Sequence, residues 1–129
     1  MIAAVETVDG VLLVDVGEDA LLGAGDELPA TDAPRVDLPR VVATAGTGST
    51  IVAVVDRRPP LAISNDSGAT WHESGGGLPP GFAIAIAEDD PDRMLFAGRS
   101  RLYVSTDGGV FWRSLALELP DIVRVAWID

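Results

Sequence analysis

The chain has 129 residues, 47% of them apolar, and its nine arginines and twenty acids, with no lysine, give a net charge of −11. That length and composition predict one domain with an ample core, while the acidic balance disfavours non-specific contact with nucleic acid or anionic membranes. Cysteine is absent and His72 is the sole histidine, which excludes disulfides, thiolate chemistry and cysteine- or histidine-rich metal sites.

In chain order, residues 2–7, 11–16 and 20–22 read as three strands. No basic region precedes the first of them, so no secretory leader is expected. No apolar run approaches a membrane span, and a cytoplasmic protein without a membrane partner is the expectation. Residues 23–39, with four acids and three prolines, read as a surface loop. Four strands then follow at 41–46, 50–56, 61–66 and 70–74, and four more at 82–87, 94–98, 101–105 and 111–117. A last strand at 122–128 closes the series. Most of these runs are Val, Ile, Ala, Leu or Phe, as expected of strands sandwiched between neighbouring sheets.

Ser64-Asn65-Asp66-Ser67-Gly68-Ala69-Thr70-Trp71 recurs 41 residues later as Ser105-Thr106-Asp107-Gly108-Gly109-Val110-Phe111-Trp112. Turn formers flanked by apolar runs predict a hairpin in each copy. Asp66 and Asp107 are placed to accept backbone N–H bonds, each worth about 1 kcal/mol. Ser64 and Ser105 can bond back across the turn, and Gly68 and Gly109 fall where a positive φ is needed. Trp71 and Trp112 are expected to open the outgoing strands, where burying an indole contributes about 4–6 kcal/mol at most.

The first copy resembles the Asp-box (BNR) repeat, S-x-D-x-G-x-T-W, of sialidase-type and photosystem-assembly-factor-type β-propellers. Ser64, Asp66, Gly68, Thr70 and Trp71 match every fixed position; Ser105, Asp107, Gly109 and Trp112 match all but one, with Phe111 in place of Thr. The lead-in from Asp90 to Gly98 looks like that of the same blades. The resemblance implies an all-β propeller whose repeat turns lie away from any catalytic pocket.

Aligned on the repeat, residues 40–74 and 82–117 make two blades, and 2–22 with 122–128 make a third, split between the termini. Closed propellers hold about four to eight blades, so three blades predict either a fragment or a homodimer ring of six. In that ring the terminal strand of each chain completes the first blade of the other.

Arg57 and Arg58 of one blade and Arg99 and Arg101 of the next fall on turns opposite the repeats, a candidate site for a carboxylate or phosphate. The resemblance does not carry a sialidase site over residue by residue, because the family's Arg-Ile-Pro-type segment is missing and Tyr103, the only tyrosine, precedes a repeat turn. Glu88, Asp89 and Asp90 form an acidic cluster whose spacing matches no dedicated calcium loop. No catalytic residue, metal or cofactor is assigned. The reading is a non-catalytic binding or scaffold module, with a protein, an anionic small molecule or a carbohydrate as ligand. The alternative is a glycosidase whose site forms only in the assembled propeller.

Overall fold

The computed structural model describes residues 1–29 and 33–128. The described chain is all β, with twelve strands: β1 (Ile2–Thr7), β2 (Gly10–Asp15), β3 (Ala20–Ala24), β4 (Val41–Thr47), β5 (Thr50–Val55), β6 (Leu61–Ser64), β7 (His72–Ser74), β8 (Ala83–Ala87), β9 (Asp90–Ala97), β10 (Leu102–Ser105), β11 (Arg113–Ser114) and β12 (Ile122–Trp127). They form three four-stranded antiparallel sheets, ordered β12-β1-β2-β3, β4-β5-β6-β7 and β8-β9-β10-β11.

The first sheet joins the two ends of the chain within one molecule. β12 pairs with β1 through Ala3↔Trp127, Ala4↔Ala126 and Val5↔Val125. Across this seam Arg124 donates to Glu6 at 3.0 Å. The pairing covers an edge that β1 would otherwise leave open.

Side-chain alternation explains how the sheets stack. On β8 and β9, Ile84, Met94 and Phe96 pack with Val52, Val54, Leu61 and Ile63 of the second sheet. The alternate residues Ala83, Ala85, Leu95 and Ala97 pack with Ala3, Val5, Val14 and Val125 of the first sheet. The third sheet is therefore the middle one, apolar on both faces. A period of two puts one set on each side.

Both apolar flanks of this arc meet the connector that follows β3. Val36 and Leu38, with Val41 and Trp71, pack over Ala53, Val55 and Ala62 on the far face of the second sheet. At the other flank, a Cβ on Gly25 would fall within 2.8 Å of Leu13 and 3.2 Å of Val11, so the backbone itself lies on those side chains. Leu28 is buried as well. The described parts of the connector run over the surface, as its composition suggests, and are fastened to the blades by Leu28, Val36 and Leu38; residues 30–32 lie outside the described residues.

Two of the outermost strands, β7 and β11, are shorter than the sequence suggests, while β3 runs two residues beyond the expected 20–22. β7 and β11 begin one residue after their tryptophans, and β11 has two residues where seven were expected. β9 is longer, starting at Asp90. An outer strand pairs with one neighbour only, so its ladder ends where the turn's own hydrogen bonds take over.

Candidate functional site

Each repeat turn is a small closed hydrogen-bond system. Ser64 Oγ donates to Asp66 Oδ1 at 2.8 Å and accepts the Gly68 amide at 2.8 Å. Asp66 then accepts the Thr70 amide at 2.8 Å and the Thr70 hydroxyl at 2.6 Å. In the second copy Ser105 Oγ donates to Asp107 at 2.8 Å and accepts the Gly109 amide at 2.9 Å, while Asp107 accepts the Phe111 amide at 3.0 Å. Gly68 and Gly109 have φ of 92° and 89°, the left-handed region that glycine enters without a Cβ clash.

The two carboxylates differ as their donors differ. The Thr70 hydroxyl, then the Thr70 amide and the Ser64 hydroxyl, hold the Asp66 carboxyl down at about 2 against an ordinary 3.8. Asp107 is also lowered, chiefly by the Phe111 amide and then the Ser105 hydroxyl. These aspartates are committed to their turns. Trp112 lies edge to face with Phe96, ring centroids 6.0 Å apart, and Phe96 meets Tyr103 at 5.8 Å. Tyr103 therefore belongs to an aromatic cluster of the core, and His72 is an exposed strand residue.

The opposite end of the blades carries the arginines, and the structure divides them. Arg99 pairs with Asp121 at 3.3 Å in solvent, and Arg101 donates to the Leu115 carbonyl at 3.4 Å. Arg57 and Arg58 are exposed on the turn between β5 and β6. They flank a hollow of about 180 Å³ lined by Asp56, Pro60, Leu78 and Pro79 among others. Pro79 also sits 3.2 Å from where a Cβ of Gly98 would be, so it stands between the two arginine-bearing turns. The four arginines do not share one pocket: only Arg57 and Arg58 line the hollow.

The larger concavity runs along the innermost strands of all three sheets. This groove, about 920 Å³, is lined by Thr44, Ala45, Gly46 and Thr47 of β4, by Ile84, Ala85 and Ile86 of β8, and by Val125, Ala126 and Trp127 of β12. Pro29, Ala33 and Pro34 of the connector border it, and the Thr44 hydroxyl holds the connector by donating to the Pro34 carbonyl at 2.8 Å. Glu88 and Asp89 stand at the mouth on the turn between β8 and β9, exposed to solvent. The Thr47 hydroxyl donates to the Glu88 carbonyl at 2.9 Å and ties two blades together there. Arg93 lies over the Trp127 ring, 4.5 Å from its centroid.

Among the described residues the carboxylates on the groove are Glu88 and Asp89, sequence neighbours on one turn. A glycosidase pair faces across the substrate at about 5–10 Å, and these two, adjacent on one turn, do not make such a pair between themselves. Among the described residues no group of three His, Cys, Asp or Glu could hold a metal ion. No helix is long and apolar enough to cross a membrane. Sequence reasoning marked the arginine turns and the acidic cluster but singled out no residue of the groove's walls as a site, because they are ordinary strand residues. The spacing of the three inner strands was the available signal.

No protein-family model matches the chain, and no curated protein matches it. Among solved structures it is similar to a GH74 enzyme of Niastella koreensis, at 25% identity and a TM-score of 0.51, over 92% of this chain and 18% of that one. It is also similar to YCF48, solved bound to D1 peptide, at 16% identity and a TM-score of 0.53, over 92% of this chain and 38% of that one. The chain thus spans well under half the length of either. Both neighbours are β-propellers, and with three stacked four-stranded sheets the chain is a partial β-propeller.

Proposed function

We propose that the chain is a non-catalytic binding module whose recognition surface is the groove between its inner strands. The observation that carries this reading is the groove itself: about 920 Å³, walled by the inner strands of all three sheets, with apolar side chains interspersed with polar groups and the Glu88 and Asp89 carboxylates at one mouth. That combination is the ordinary anatomy of a binding site. At the other end Arg57 and Arg58 offer a second contact, suited to an anion. The proposal includes assembly of two copies into a six-blade ring, a number within the range of closed propellers. In that ring the two grooves face one central channel.

Two measurements test it. Light scattering at micromolar concentration is expected to give twice the chain's 13.4 kDa; a monomeric mass removes the ring from the proposal. Peptide-library selection on the immobilised protein is expected to enrich binders that are lost on Ala126→Trp, which fills the groove from β12. Binders indifferent to that substitution would remove the groove.

A second reading, a glycosidase formed in the assembled ring, is favoured by the likeness to the GH74 enzyme and by Glu88 and Asp89 at the groove mouth. Two copies would bring two such carboxylate pairs to one channel. Chromophore release from aryl glycosides that vanishes in Glu88→Gln would decide for it.

A further inference from the structure

We infer that the groove takes an extended peptide with apolar side chains along the inner strands and a cationic group at one end, held by Glu88 and Asp89. The inference rests on the binding-module reading above and names the partner that the groove's chemistry selects.

The lining sets the size and polarity of the occupant. Four consecutive residues of β4 line the groove, about 13 Å of strand at 3.3 Å per residue. That length accommodates about four extended residues. The three inner strands each contribute a small residue to the lining, Ala45, Ala85 and Ala126, which leaves room for a backbone to approach. Ile84 and Ile86 supply apolar contact. Of the side chains able to hydrogen-bond, Thr44 is engaged with Pro34 and Thr47 with Glu88, while the Trp127 indole N–H is unpaired. An extended peptide presents backbone N–H and C=O groups to the polar part of this lining and apolar side chains to Ile84 and Ile86.

The charge at the mouth sets the orientation. The Glu88 and Asp89 carboxylates are exposed, and among the described residues no cation pairs with either; Arg99 is paired with Asp121 and Arg124 with Glu6. Arg93, on the groove's own flank, is stacked on Trp127. Two unpaired carboxylates beside the groove, in a chain of net charge −11, attract a Lys or Arg side chain or a free amino terminus. Elsewhere the aspartates of the repeat turns spend their oxygens on their own backbone. Glu88 and Asp89 do not.

The test uses fluorescence anisotropy with a labelled hexapeptide, Leu-Val-Ala-Leu-Arg-Arg, and its counterpart ending in Glu-Glu, on the full chain. The arginine peptide is expected to bind and the glutamate peptide not to. The double variant Glu88→Gln, Asp89→Asn is expected to weaken the arginine peptide about tenfold, the scale of two exposed charge contacts. Ala126→Trp is expected to abolish binding; Thr47→Tyr serves as an independent plug should that variant fail to fold. Equal binding of both peptides, lost on plugging, would overturn the cationic specificity and leave the groove standing. Arginine-peptide binding that survives plugging would reduce the effect to general attraction by an acidic surface and overturn the inference. Failure of both peptides, while library selection still yields groove binders, would overturn this partner class alone.

Discussion

The two repeat turns form a natural pair differing at one donor, and the difference can be moved from one to the other. Asp66 accepts a hydroxyl that Asp107 lacks, because Phe111 stands where Thr70 does in the first copy. Phe111 is 76% exposed, so little packing is lost by replacing it. Phe111→Thr is expected to stabilise the protein slightly, read as a higher urea midpoint with an unchanged slope. The same bonds predict the acid behaviour of the first turn. Its carboxyl sits at about 2 in the fold against 3.8 ordinarily, and a lowered folded pKa contributes stability that is fully present above the unfolded value. That contribution is lost as pH falls through about 2. Asp66→Asn is therefore expected to destabilise at neutral pH and to flatten the acid limb between about 4 and 2 in a pH series of urea melts. An acid limb of unchanged steepness would assign the loss to other carboxylates. Glycine tests the backbone side of the turn. Gly68→Ala meets only the left-handed penalty of about 1 kcal/mol, since its nearest contact would be 3.7 Å away. Gly109→Ala adds a clash with Ile63 at 2.7 Å and is expected to cost at least twice as much.

Among the elements, the apolar inner and middle strands were the more legible, and the outer β7 and β11 the least. β5 and β6 are runs such as Thr-Ile-Val-Ala-Val-Val and Leu-Ala-Ile-Ser, buried on both faces, and nothing else in the chain competes with that reading. Residues 70–74 and 111–117 are mixed, and their ends are set by hydrogen bonds of the turn that no periodicity encodes. The split blade was legible because the last strand keeps the spacing of the other inner strands. The groove was not: Ala45, Ala85 and Ala126 carry no chemical signature, and only the stacking of three sheets turns them into a surface. The arginines were legible as one end of the blades. Which of them would be engaged depended on the partners Asp121 and Leu115, contributed from the far side of β10 and β11. The seam between the termini carries its own consequence. Ile122, 5% exposed, anchors β12 in the core shared by the first and third sheets. Ile122→Ala is expected to cost about 2–5 kcal/mol and to speed hydrogen exchange first at β1, whose ladder to β12 opens when the anchor is lost. Uniform acceleration across all three sheets would show instead that the seam opens only on global unfolding.

For the whole molecule the decisive question is what covers the two flanks of a three-blade arc. Sheet edges and apolar faces of this size invite a partner, and the composition of residues 23–39 gives no hint that they supply one. Yet Val36 and Leu38 lie on Ala53, Val55 and Ala62, where a neighbouring blade would stack in a longer propeller. A second copy that completes a ring must compete with these two side chains for the same face. Each is partly buried, so together they contribute about 1–3 kcal/mol to keeping the connector down. Val36→Asp with Leu38→Asp removes that contribution without touching the blade. If the connector competes, the double variant should strengthen dimerisation about tenfold or more, since about 1.4 kcal/mol is a factor of ten in the equilibrium constant. Sedimentation equilibrium over a range of concentrations measures the shift directly. A weakened dimer would place the connector inside the interface rather than against it. An unchanged equilibrium would mean that the copies meet elsewhere, and the groove would then function within a single chain.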